Sequence, residues 1–160
     1  MLIELKLLAL IVVANGAPII AADVLRARWA SPLDGGLRLR DGQALFGAAK
    51  TWRGLVSAFV FTVPCAVLLG LPALAGVLMA TAAMLGDLLS SFIKRRLRIA
   101  SSGRALGLDQ FPESLLPLLA VQPLIELSVW SISGLALAFA VIELLLSRIL
   151  FKLHLRNRPY

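Results

Sequence analysis

Cysteine and histidine are nearly missing from this 160-residue chain, which has one of each, Cys65 and His154. No internal disulfide can form, and no Cys/His cluster offers a zinc site. Cys65 lies in an apolar run and reads as a small buried hydrophobe. His154, near the C-terminus, reads as an interfacial residue. Aromatic side chains make up 7% of the chain and nowhere interleave with basic residues, as a surface for stacking bases would. Acidic residues are scarce too: nine, against sixteen Lys and Arg, for a formal charge of +7. In a soluble protein that charge would point to nucleic acid. Without a stacking surface, it points instead to basic loops beside anionic lipid or phosphate. Neither an internal repeat nor a low-complexity segment stands out.

Apolar residues are abundant, at 59% of the chain with a mean hydropathy of +0.89. Soluble domains are nearer half apolar, and one this short has too little interior to bury the excess. Lipid is the alternative solvent, and the length suits a single membrane domain covering residues 1–160. A span needs roughly 20 mostly apolar residues. The first runs from about Leu5 to Ala22 and contains Asn15 and Pro18. Residues 1–17 look superficially like a signal peptide, but Glu4 offsets Lys6 and weakens the positive start. The uncharged run Leu55–Gly86 is divided by Gly70-Leu71-Pro72 into spans near 54–71 and 73–93. The stretch Leu115–Leu146, interrupted by Gln122-Pro123 and Glu126, is either one tilted helix or two spans turning near 122–129.

Charge decides between these. Arg26, Arg28, Arg38, Arg40, Lys50 and Arg53 lie in the first polar loop. Lys94, Arg95, Arg96, Arg98 and Arg104 lie in the second, and Arg148, Lys152, Arg156 and Arg158 near the C-terminus. The turns near 71 and 126 carry no cation. The positive-inside rule puts all three basic regions in the cytoplasm only if the chain turns near 122–129. The expectation is an all-α integral membrane protein of about five spans. Its N-terminus is outside and its C-terminus cytoplasmic, with a short, half-buried fourth span.

The scarcity of acids makes their positions informative. Asp87 sits near the cytoplasmic end of the third span, where an ionisable group normally faces a partner or a site. At about 100° per residue, Asp87, Ser91, Lys94, Arg95 and Arg98 share one face if the helix continues that far, and Arg96 points away. A carboxylate and a hydroxyl with cations beyond them suit Mg²⁺ and phosphate. The plainer reading, basic residues snorkelling at a helix end, is preferred for Lys94-Arg95-Arg96 alone. It does not account for Asp87, Ser91 and Lys94 on one face.

A second cluster joins Asp34-Gly35-Gly36, Asp41-Gly42 and Gly47-Ala48-Ala49-Lys50-Thr51-Trp52-Arg53-Gly54. Lys50 and Arg53 enter the second span at its N-terminus, where free amides favour anions. Gly42-x-x-x-x-Gly47 is followed by Ala48, so it is not a Walker A loop; a turn with basic anchors explains the cluster equally well. The third cluster is Leu108-Asp109-Gln110-Phe111-Pro112-Glu113. Two acids four apart, where the chain re-enters the membrane, suit a metal site shared with Asp87. For Glu113 alone, placement in the first turn of a helix after Pro112 is narrowly the better explanation; Asp109 has no such explanation. Glu126 and Glu143 read as structural.

Together these motifs resemble the CDP-archaeol synthase family and, more distantly, phosphatidate cytidylyltransferases. The strongest match is Gly86-Asp87-x-x-x-Ser91-x-x-Lys94-Arg95. Lys50-Thr51-Trp52-Arg53-Gly54 is similar to the Lys-Thr-x-Arg-Gly motif of the archaeal enzymes, and Asp109-Gln110 to the acidic motif after the third span. In one departure, the aspartate usual three residues after Asp109 is replaced by Pro112, with Glu113 next. The resemblance implies a membrane enzyme that joins CTP to a lipid phosphate, giving a CDP-activated lipid and pyrophosphate at the cytoplasmic face of the inner membrane. It implies Mg²⁺ on Asp87, Asp109 and Glu113, and catalytic roles for Asp87, Asp109 and Lys94. Substrate would be held by Lys50, Thr51, Arg53, Ser91, Arg95, Asp34 and Asp41. Two rival readings are a non-enzymatic protein binding anionic lipids through its basic face, and a small transporter with polar Asn15 and Gln122 on its path.

Overall fold

The described residues of the computed structural model are 3–152, apart from Ser102, Arg104 and Leu106. They form five helices in chain order: α1 (Ile3–Leu25), α2 (Trp52–Leu68), α3 (Ala73–Arg96), α4 (Gln110–Val121) and α5 (Val129–Lys152). Local chemistry sets most of the ends. Thr51 caps α2, its hydroxyl accepting from the Gly54 amide at 3.3 Å. Gly70, at φ +72°, makes the turn that Pro72 closes before α3 begins. The α4–α5 turn falls at residues 122–128, inside the predicted window. Arg104, His154, Arg156 and Arg158 lie outside the described residues, as do the side chains of Arg148 and Lys152.

Three helices, α1, α3 and α5, are long and apolar enough to cross a bilayer; α2 is a shorter apolar helix of 17 residues. Helix α4 has 12 residues. At 1.5 Å per residue it rises about 18 Å, well short of the roughly 30 Å hydrocarbon core. The expected fourth span is therefore a partial crossing, and its wall is completed by its neighbours. Leu118 and Val121 of α4 pack with Leu7, Leu10 and Ile11 of α1, Met79 of α3 and Phe139 of α5 in the main apolar cluster. Val60, Phe61, Leu68, Leu85, Leu137 and Val141 point outward, as lipid-facing side chains do.

Small residues let the helices approach closely, the usual device where lipid supplies no hydrophobic contrast. The inner face of α3 carries Ala75, Gly76, Ala80, Ala83 and Gly86. A Cβ on Gly76 would meet the Val63 Cα at 2.8 Å. A Cβ on Gly86 would overlap the Pro112 carbonyl and come within 2.9 Å of the Glu113 amide. Gly86 thus sets the distance between α3 and the start of α4, at the level of the acidic residues.

The sequence-based helical face does not extend as far as predicted. Helix α3 stops at Arg96, and Arg98 takes a left-handed φ of +57°. Arg98 consequently leaves the face that carries Asp87 and Lys94.

Candidate active site

Loop 26–51 is held together by its own acids. The Asp34 carboxylate accepts the amides of Phe46 at 2.9 Å, Gly36 at 3.0 Å and Gly47 at 3.1 Å. Burial by itself pushes this carboxyl up, but the three amides outweigh it and hold it below its ordinary value. Gly47, at φ +94°, brings the loop onto α3 and the following loop: a Cβ there would lie 3.0 Å from the Ser101 hydroxyl and 3.5 Å from an Arg95 guanidinium nitrogen. Asp41 is joined to Arg96 at 2.7 Å, and Arg96 also donates to the Ala44 carbonyl at 2.6 Å and lies over the Phe92 ring. Asp34 and Asp41 therefore organise the loop over the helix ends. Arg96, which the helical projection turned away from the site, fastens that loop to α3.

With the loop so placed, Lys50 reaches Asp87 on α3 and forms an ion pair with it. From α4, the Glu113 carboxyl lies within hydrogen-bonding reach of Asp87 and within electrostatic range of Lys50 and of Glu143 on α5. Pairing two carboxyl groups requires a proton or a cation to offset their repulsion, and Lys50 supplies part of that charge. Further along α3, Lys94 binds Asp109 at 2.6 Å and donates to the Gly103 carbonyl at 3.3 Å. Arg95 donates to the Ala100 carbonyl at 2.7 Å. Ser91 lies buried between these pairs.

The structure thus brings together Lys50, Asp87 and Glu113, with Lys94, its partner Asp109 and Arg95 about two helical turns further along α3. It does not assemble Asp87, Asp109 and Glu113 as one metal cluster: among the described residues no group of three such side chains is close enough. Asp109 is turned aside by Lys94 and by the Ala105 amide, which donates to it at 3.1 Å. Arg53 is also engaged elsewhere. Its guanidinium donates to the Arg26 and Arg28 carbonyls and closes the α1–loop junction, where both Arg26 and Trp29 have positive φ. Thr51 serves as the α2 cap.

Next to Pro112, which stands where the family usually has an aspartate, Glu113 brings its carboxyl beside Asp87. The paired oxygens of Asp87 and Glu113 are hard donors that fit Mg²⁺, which takes one or two carboxylates and completes its shell with water and substrate phosphate.

The family model described as CarS-like: CDP-archaeol synthase matches residues 71–160, from the α2–α3 turn onward. The chain belongs to the CDP-archaeol synthase family. It is 34% identical over 157 residues to a CDP-archaeol synthase of Pyrobaculum calidifontis, covering 92% of this chain and 91% of that protein. The Hyperthermus butylicus CDP-archaeol synthase is 42% identical over 103 residues, 61% of this chain and 58% of the relative. For that relative the match thus spans little more than half its length. A solved structure described as an intramembrane enzyme for archaeal membrane lipids biosynthesis superposes with a TM-score of 0.75 at 30% identity, covering 88% of this chain and 90% of the other. The fold is thereby shared with that solved intramembrane enzyme, the matched relatives are named as synthases, and the non-enzymatic alternative gains no support.

Proposed function

We propose that this chain transfers the cytidylyl group of CTP to a lipid phosphate at the cytoplasmic membrane face. A phosphate oxygen of the lipid attacks the α-phosphorus of CTP, a new phosphoanhydride bond forms, the α–β bond breaks, and pyrophosphate leaves. The observation that carries this reading is the convergence of Lys50, Asp87 and Glu113 from three separate segments at one membrane-level site.

Two highly charged anions must meet, so the site has to neutralise and position them. Asp87 and Glu113 would hold Mg²⁺, which when bound supplies Lewis-acid stabilisation of phosphate charge. Lys50 is placed to trade its carboxylate partner for a phosphate oxygen. Lys94, oriented by Asp109, and Arg95 offer further cations next to the buried Ser91 hydroxyl. Asp34, Asp41 and Arg53 act by holding the loop that presents Lys50. The lipid tail would lie in the bilayer against the apolar helix faces.

Purified protein incubated with labelled CTP, Mg²⁺ and a panel of lipid phosphates tests the proposal. The panel includes isoprenoid ether and diacyl acceptors, because the relatives' named product points to the former. Labelled CDP-lipid and pyrophosphate should appear in equal amounts with at least one acceptor; well-folded protein that converts none of them refutes the reading.

A further inference from the structure

Helix α4 carries a backbone defect at the site. In an α-helix the carbonyl of residue 113 accepts the amide of residue 117. Here residue 117 is proline, fully buried within α4, and it has no amide hydrogen to give. The Glu113 carbonyl is therefore left without its helical donor, at membrane depth, where an unpaired carbonyl is costly.

Another helix supplies the missing donor. The Asn15 side-chain amide, on α1, donates to the Glu113 carbonyl at 3.3 Å, and its second hydrogen goes to the Ile11 carbonyl on its own helix at 3.0 Å. Asn15 is the one amide side chain in the apolar body of α1. On the other side, Gly86 of α3 lets the Pro112–Glu113 backbone approach closely. The residue bearing the Glu113 carboxylate is thus gripped from α1 by a hydrogen bond and from α3 by close packing.

We infer that Asn15 is a positioning residue, standing in for the amide that Pro117 lacks and fixing the Glu113 backbone so that its carboxylate meets Asp87. The inference rests on the proposed carboxylate site. It assigns a role to a residue on α1, which otherwise contributes nothing to that site. Proline in α4 and asparagine in α1 form one unit: Pro117 frees the carbonyl, and Asn15 ties it to α1.

The test uses the full-length protein in nanodiscs, with Asn15→Leu, Pro117→Ala and the double variant beside wild type and Asp87→Asn. Leu matches the branched outline of Asn15, with more bulk, and removes the donor; Ala at 117 restores the backbone amide. The readouts are Mn²⁺ affinity by electron paramagnetic resonance, kcat and KM for CTP, and thermal stability. Asn15→Leu should weaken Mn²⁺ binding about tenfold or more, in the range of losses seen when a ligand's supporting partner is removed. It should lower kcat more than it raises KM. Adding Pro117→Ala should recover most of both losses. Wild-type Mn²⁺ affinity in Asn15→Leu would overturn the inference, as would failure of Pro117→Ala to rescue a variant that remains folded. If Asp87→Asn is impaired while Asn15→Leu is not, the inference alone falls. If Asp87→Asn binds Mn²⁺ and turns over like wild type, the underlying site falls with it.

Discussion

Lys50, at the end of the first loop, is ion-paired with Asp87 on the third helix, so the loop's basic residue and the half-buried acid of α3 form one unit. Each neutralises the other. Replacing Lys50 with Met should leave Asp87 and Glu113 beside each other without their cation and remove the proposed phosphate contact. Steady-state kinetics should show kcat falling by about 10²-fold, the scale for losing one preorganised charge-stabilising group. A Lys50→Met enzyme with unchanged kcat would remove this pair from the site.

Gly86 has no room for a side chain. Gly86→Ala should push α4 off α3 and displace Glu113, because the clash is with Pro112 backbone rather than with a flexible side-chain end. Overpacking of this kind costs about 1–3 kcal/mol, which should be visible as a lower melting temperature together with reduced turnover. An alanine variant as stable and active as wild type would show that the helices do not approach so closely.

Asp34 predicts a pH dependence. Its folded-state carboxyl lies below the ordinary value of 3.8 because three amides donate to it. A lowered folded value means that the contribution to loop order is complete above the unfolded value and is lost as pH falls through the folded one. Limited proteolysis of loop 26–51 should therefore find it protected at pH 5 and increasingly cleaved only under strongly acidic conditions. Asp34→Asn should be cleaved at every pH. Equal protection of the two proteins at pH 7 would contradict this.

Arg96 and Asp41 join the loop to α3 across a half-exposed pair, with side-chain exposures of 25% and 45%. Solvent screens such a pair, so its coupling energy should be about 1 kcal/mol or less and should shrink with salt. Arg96→Ala should nevertheless lower activity more than Asp41→Ala does, since it also loses the bond to the Ala44 carbonyl. A double-mutant cycle measures both effects.

The proposed orientation rests on the basic loops. With loops 26–51 and 97–109 cytoplasmic, a reporter fused after Tyr160 should be cytoplasmic too. An external signal would remove the five-segment orientation, though not the helices themselves.

Much of this was legible in the sequence because punctuation and composition coincided. Gly70-Leu71-Pro72 divides two apolar runs, and Gln122-Pro123 interrupts the last long stretch. The motif carrying Asp87, Ser91 and Lys94 lay on one face of a helix, so periodicity revealed it. The partners were less readable, because they depend on tertiary approach. Nothing in the local pattern said that Lys94 would draw Asp109 aside, or that Arg53 would close on the Arg26 and Arg28 carbonyls. Arg96 projects away from the Asp87 face, and only the folding of loop 26–51 against α3 gives it Asp41 and the Ala44 carbonyl as partners. Asn15 was visible only as a polar residue in a span. Its signal was indirect: Pro117, a hundred residues later, leaves a carbonyl that something must satisfy.

The most direct measurement compares wild type with Asp87→Asn in the conversion of labelled CTP to CDP-lipid, using an isoprenoid ether lipid phosphate and Mg²⁺. Wild type should form CDP-lipid and an equal amount of pyrophosphate, and folded Asp87→Asn should form almost none. Equal product from both proteins would contradict a site built around Asp87.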